Sequence, residues 1–241
     1  MSFAGTPRAV SDRSDSDCVV LLHGLAESPL TMAAVEAALR SGGYTVANIA
    51  YPSTSEPIEA LMTRYVEPLF DQFREAKRLH FVTHSLGGVL LHSALSARLP
   101  ANLGRVVMTA PGLKGSEALE VYRRSWLFRM LFGPAASQSG TGQDAFARVL
   151  DQQARYPLGV IAGCVSLDPV ANLVVPWPHD GKISVARTRI QGMADHIVLM
   201  TPHDLTASDP VAIAQILHFL AHGHFLHLLR SDEEAAAVVA A

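Results

Sequence analysis

One stretch restricts the fold of this chain more than any other. Leu79-His80-Phe81-Val82 is a short, mostly apolar run, Thr83-His84-Ser85-Leu86-Gly87-Gly88 follows it directly, and Leu86, Val89, Leu90, Ala94 and Leu95 then recur at helical spacing. A chain that passes from strand to helix across so few residues must turn sharply. The turn puts Ser85 in a strained backbone conformation with its hydroxyl exposed, the arrangement of a nucleophile elbow. Gly87 lets that turn close without a side-chain clash. The helix beginning there offers unpaired N–H groups and the positive end of its dipole beneath the serine oxygen. The usual elbow spacing is G-x-S-x-G. Here Thr83 stands at the first glycine, a β-branched residue suited to the preceding strand.

A second apolar run, Cys18-Val19-Val20-Leu21-Leu22, ends in His23-Gly24-Leu25. Alone, His-Gly after a strand is an ordinary turn. Paired with the elbow, it makes the chain resemble the α/β-hydrolase superfamily, in its bacterial lipase and esterase branch, from about Asp17 to Phe225. The resemblance implies that the His-Gly turn supplies one backbone N–H to an oxyanion hole and that the residue after the nucleophile supplies the other. On this chain those donors are Leu25 and Leu86.

Composition narrows the alternatives. A chain of 241 residues suits one domain with an insertion, 17–241, behind a loose polar tail at 1–16. With 49% hydrophobic and 17% charged residues it is a globular chain with a large core, not a disordered one. A net charge of −3 leaves no basic footprint for nucleic acid. The polar N-terminus carries no apolar leader and no run approaches the roughly 18 apolar residues of a membrane span, so the expected location is cytoplasmic. The two cysteines, Cys18 and Cys164, read as buried free thiols, with a bridge between them unsupported. The oligomeric state is not legible.

Along the chain, Asp17–Leu22 reads as a strand and Ser28-Pro29 as the cap and first residue of a helix running to Ser41, where Gly42-Gly43 stops it. Tyr44–Tyr51 reads as a strand. Ile58 to Phe73 carries a helical stripe with a kink at Pro68. The elbow strand and helix follow, then strands at Arg105–Thr109 and Gly159–Val165, a short extended segment at Ser184–Ile190 and a closing helix at Pro210–Ala221. Alternating strands and helices predict an α/β fold with a mostly parallel central sheet flanked by helices. The alternation breaks at about 113–156, where the family carries a helical cap or lid. Trp126, Phe128 and Met130 there are candidates for an acyl-binding wall, and equally for a helix packed on the sheet. The run Gly133–Gly142 is the one hint of a mobile lid.

A serine hydroxyl is a poor nucleophile at neutral pH unless a base lies within hydrogen-bond reach and a carboxylate orients that base. The family order is serine, then acid, then histidine. Asp168, Asp180 and Asp195 compete for the acid. Asp180, in Asp180-Gly181-Lys182-Ile183-Ser184-Val185, is similar to the segment that carries the acid in this branch, while Asp168 before Pro169 is the runner-up and Asp-Gly is also a common surface turn. Among eleven histidines, His203 lies in the loop before the last helix, where the family's base falls. His196 is its rival at the head of an apolar run. His84 and His92 read first as structural, though His84 flanks the serine and is a candidate for bordering the substrate pocket. His218 and His222 share a helical face with His224 and His227 nearby, but no H-E-x-x-H pattern accompanies them, so no metal is expected.

The resemblance implies a serine hydrolase for carboxylic esters, acting on a small-molecule acyl ester through Ser85, Asp180 and His203 and an acyl-enzyme intermediate, with no cofactor. A thioesterase, amidase or acyltransferase would use the same residues, since fold does not set substrate. A non-catalytic ligand-binding member of the fold is the reading from another class.

Overall fold

Alternation along the strands explains the layers. The computed structural model describes residues 16–118 and 152–227. In β1 (Cys18–Leu22), Val19 and Leu21 point to one face of the sheet, and Cys18, Val20 and Leu22 to the other. Strands buried on both faces read as continuous apolar runs, and β1, β3 (Leu79–His84) and β5 (Leu158–Gly163) are buried at every residue. With β2 (Thr45–Ile49), β4 (Leu103–Thr109) and β6 (Asp195–Leu199) they form a six-stranded parallel sheet in the order β2-β1-β3-β4-β5-β6 among the described residues.

Helix α1 (Ala33–Ser41) and the last helix cover one face. Met32, Val35 and Leu39 meet Ile216, Phe219 and Leu220 over Val19, Leu21, Val82 and Ile161. On the other face lie α2 (Ile58–Leu61), α3 (Glu67–Gln72) and α4 (Leu86–Ala97). The chain leaves β1 toward the first face and β3 toward the second. The carboxyl ends of these adjacent strands therefore flank a crevice at the point where the winding reverses.

Local chemistry sets several boundaries. Ser28 caps a short 3₁₀ turn, Pro29–Met32, by accepting the Leu30 N–H, and α1 follows it. The stripe from Ile58 is not one kinked α-helix: a π-helical turn, Met62–Val66, separates α2 from α3. Pro68 lacks an N–H and crowds the carbonyl four residues back, so the ladder widens ahead of it. The stretch Ser184–Ile190 is not extended either. Val185–Thr188 is a 3₁₀ turn in which the Thr188 hydroxyl bonds back to the Val185 carbonyl at 2.7 Å. A short α5 (Ala171–Val174) precedes it, and α6 (Pro210–His222) closes the described chain with Asp209 as its cap. Neither cysteine is in a disulfide; Cys18 is buried as expected, but Cys164, just after β5, is partly exposed. No helix among the described residues is long and apolar enough to cross a membrane.

Gly87 shows how closely α4 is set on β1. A methyl group there would lie 2.5 Å from the Leu22 carbonyl oxygen and 2.8 Å from that of His23. Both are backbone atoms in the buried sheet, so the helix itself must move. Gly87→Ala is expected to lower stability by about 3 kcal/mol, at the upper end of overpacking costs, read as a shift in the urea unfolding midpoint with an unchanged slope.

Candidate active site

The site is assembled from four strand ends. Between β3 and α4, Ser85 takes φ 49° and ψ −115°, a conformation costly for any residue but glycine. It is held there by its N–H, which donates to the Thr109 carbonyl at 3.0 Å, and by its carbonyl, which accepts from the Gly88 N–H at 3.0 Å. The hydroxyl is thereby aimed across the crevice at the loop after β6. There His203 Nε2 lies 3.0 Å from Ser85 Oγ. His203 Nδ1 lies 2.8 Å from Asp180 Oδ2, and the His203 N–H donates to the Asp180 carbonyl at 2.9 Å.

Asp180 Oδ1 accepts from the N–H groups of Lys182 at 2.9 Å and Ile183 at 2.8 Å. The carboxylate is thus acceptor on both oxygens and almost fully buried. Burial pushes its pKa up, but His203 and the two backbone donors outweigh that and hold it below the usual carboxylate range. The buried charge is matched and stays ionised beside the ring it orients.

Opposite Ser85 runs the loop after β1. The Gly24 N–H donates to Glu27 Oε2 at 2.8 Å and the Ala26 N–H to Ser53 Oγ at 3.0 Å. Between them, the Leu25 N–H has no protein acceptor among the described residues, and neither has that of Leu86 at the start of α4. Upstream, the His23 ring stacks on Tyr51 with centroids 4.1 Å apart, and the Tyr51 hydroxyl donates to the His23 carbonyl. A cavity opens at this point with Ser85 and His203 at one side and Leu25, Leu86, Val89 and Ile183 as apolar wall. Lys182 also borders it, its ammonium paired with Asp204.

The other candidates are engaged elsewhere. His84 does not line the cavity: it is fully buried, with Nδ1 3.0 Å from Thr109 Oγ1 and Nε2 3.3 Å from Glu27 Oε1. A residue inside β3 next to the elbow points away from the face that the serine takes. His196 lies in β6 with Nε2 2.9 Å from Thr188 Oγ1, and burial pushes its pKa down to about 4. Asp168 accepts from the Val170 and Ala171 N–H groups just ahead of α5, and Asp195 takes the Phe225 N–H and His227. His218, His222 and His224 pack ring on ring at the end of α6, with centroids 4.3 Å (His218–His222) and 5.1 Å (His218–His224) apart. Among the described residues no group of three or more His, Cys, Asp or Glu side chains is arranged to hold a metal ion. Trp126, Phe128 and Met130, the rest of the stretch expected to form a cap, and the tail before Ser16 lie outside the described residues. Glu27, Ser53 and Tyr51 were not singled out from the sequence. The closest signal was Gly24 itself, where a methyl group would lie 2.9 Å from Glu27 Oε2.

No family profile and no curated protein matches this chain. Solved structures do. The mature form of the Bacillus licheniformis lipase BlEst2 superposes with a TM-score of 0.67 at 17% identity, over 90% of this chain and 96% of its own. The phospholipase PlaB from Legionella pneumophila gives 0.62 at 18% identity over 93% of this chain and 61% of its own. A hydrolase of the α/β superfamily from Xanthomonas campestris, described as putative, gives 0.53 at 15% identity over 86% and 98%. At these identities the likeness is one of fold.

Proposed function

The chain has the α/β-hydrolase fold, and from that premise we propose that it is a serine hydrolase of carboxylic esters. The observation that carries the reading is the unbroken run Ser85 Oγ, His203 Nε2, His203 Nδ1, Asp180 Oδ2, with spacings of 3.0 and 2.8 Å across the ring. Nucleophile, base and orienting acid are recognised by such geometry and not by sequence position. The lipases and phospholipase that share the fold make an ester the substrate to test first.

In this reading the ester carbonyl enters the cavity with its acyl chain against Leu25, Leu86, Val89 and Ile183. Ser85 Oγ attacks the carbonyl carbon as its proton passes to His203 Nε2. Asp180 keeps Nδ1–H toward itself, so Nε2 starts as the acceptor, and it stabilises the imidazolium that forms. The negative oxygen of the tetrahedral intermediate is received by the N–H groups of Leu25 and Leu86. The latter adds the dipole of α4. The imidazolium returns its proton to the leaving alcohol. Water, activated by the same ring, then releases the acid.

The test is hydrolysis of p-nitrophenyl esters from acetate to palmitate. The apolar wall is expected to raise kcat/KM by about tenfold from acetate to butyrate, since each methylene buried contributes up to about 0.8 kcal/mol. A folded protein that releases nitrophenol from none of these esters contradicts the reading. A rate highest for acetate and falling thereafter contradicts the assignment of the wall.

A further inference from the structure

A carboxylate next to an anion-binding loop needs an explanation, because by charge alone it repels the oxyanion that the loop receives. Glu27 is such a group. Its Oε2 takes the Gly24 N–H at 2.8 Å, while Ser53 Oγ takes that of Ala26 at 3.0 Å. The two acceptors bracket Leu25, consume its neighbours' donors and leave its own N–H unspent. The fit is tight, since even a methyl group on Gly24 would lie 2.9 Å from Oε2. Ala26 is also held at φ 58°, so the loop is not at rest in its own preferred conformation.

The other oxygen, Oε1, lies 3.3 Å from His84 Nε2, a buried nitrogen with no hydrogen-bond partner among the described residues, and the contact is an ion pair when that ring is protonated. On the far side of the ring, Thr109 Oγ1 donates its one hydrogen to the Thr83 carbonyl, so it meets His84 Nδ1 as an acceptor. With Thr109 Oγ1 as acceptor the Nδ1 proton is fixed, and a second proton on Nε2 would pair the ring with the Glu27 carboxylate. His84 is the neighbour of Ser85 in sequence, and its ring centroid is 5.1 Å from that of His203. Burial pushes the Glu27 carboxyl up, but His84 and the Gly24 N–H hold it below its ordinary value.

We propose that Glu27 is a positioning residue for the oxyanion site: it fixes the loop that presents the Leu25 N–H, and His84 offsets its charge against the developing anion. The proposal rests on the hydrolase reading above and concerns residues that reading leaves without a role.

Two readouts on the full-length chain test it, ester turnover and the rate of covalent labelling by an alkyl fluorophosphonate. In the labelling step the Ser85 Oγ–P bond forms, the P–F bond breaks, fluoride leaves, and the serine proton goes to His203. The phosphoryl oxygen then needs the same two N–H donors. Glu27→Ala is expected to lower kcat and the labelling rate together by about 10–100-fold, the cost of a donor misplaced by about 1 Å, with KM changed less than about threefold. Glu27→Gln keeps an acceptor for Gly24 and is expected to stay within about threefold of wild type in both, well short of the loss of a whole donor.

The charge balance is read separately. His84→Asn keeps a donor toward Thr109 but not the contact to Glu27. It is expected to lose about tenfold in kcat, a single uncompensated charge nearby, and the double variant E27Q/H84N is expected to recover most of that loss. Recovery of activity on adding a second substitution is not what a purely structural role produces. Should E27A fail to fold, E27Q and the double variant carry the test. E27A with wild-type kcat and labelling overturns the proposal, as does an E27Q/H84N protein no better than H84N. A wild type labelled at Ser85 that hydrolyses no ester overturns the ester reading alone, and the labelling rates still decide on Glu27. A wild type neither labelled nor active overturns both.

Discussion

Replacing Ser85 by alanine is expected to lower kcat for p-nitrophenyl butyrate by about 10⁵–10⁶-fold, the scale seen when a triad nucleophile is removed. The fold is expected to survive. Among the described residues the Ser85 side chain makes one hydrogen bond, to His203 Nε2, and its backbone bonds to Thr109 and Gly88 do not involve the hydroxyl. Alanine at φ 49° carries the same backbone strain as serine, so no stability change of note enters from that source. The cavity wall of Leu25, Leu86, Val89 and Ile183, where the proposed reading seats the acyl chain, is left in place by the substitution. The loss is therefore expected in kcat, with KM for residual turnover near the wild-type value. Parallel thermal unfolding of the variant checks that the protein is intact.

Asp180→Asn is expected to cost about 10⁴ in kcat at neutral pH, through the tautomer of His203 and not through its place in the fold. One oxygen of Asp180 already accepts two backbone N–H groups, from Lys182 and Ile183. In the variant the amide oxygen must stay there, because an NH₂ would face two donors. The NH₂ is then forced toward His203 Nδ1, which has to present a lone pair to it. The ring's proton moves to Nε2, facing Ser85 Oγ, and the group that should accept the serine proton already carries one. The imidazolium that forms in the reaction also loses its counter-charge. Kinetics across pH combined with unfolding curves separate this effect from destabilisation: the expected result is a large fall in kcat with the unfolding midpoint moved by no more than an ordinary buried isostere requires.

Much of this fold is legible from residue order because buried parallel strands are continuous apolar runs, and Cys18–Leu22 and Leu158–Gly163 are such runs. Turn chemistry is local as well. Ser28 accepts the Leu30 N–H and Asp209 those of Val211 and Ala212, as capping residues should. What escapes a reading of the sequence is set by distant partners. Val185-Ala186-Arg187-Thr188 has the β-branched content of a strand, but Arg187 is drawn to Glu117 and the Lys114 carbonyl, and Thr188 to His196, so the segment coils. Pro68 marks an irregularity in its helix, but the π-helical turn that precedes it is not visible from spacing.

The site divides in the same way. Residue order leaves three aspartates open, and their contacts separate them: Asp168 takes the N–H groups of Val170 and Ala171 in its own turn, Asp195 reaches the chain near Phe225, and Asp180 reaches His203. His84 flanks the serine in sequence, which offers it as a pocket residue beside its structural reading. Strand pleating turns it away, toward Glu27. Nothing in the order of residues pairs Glu27 with His84, because the two meet only where β1 and β3 end side by side.

The decisive measurement is the mass of the protein during turnover. Wild type is mixed with p-nitrophenyl butyrate, quenched in acid within the first turnovers, digested and mapped. The expected result is a butyryl group on the peptide bearing Ser85, absent from the unmixed protein and from S85A. Nitrophenol release with Ser85 unmodified, or with the acyl group on another side chain, contradicts the assignment of Ser85 as the nucleophile.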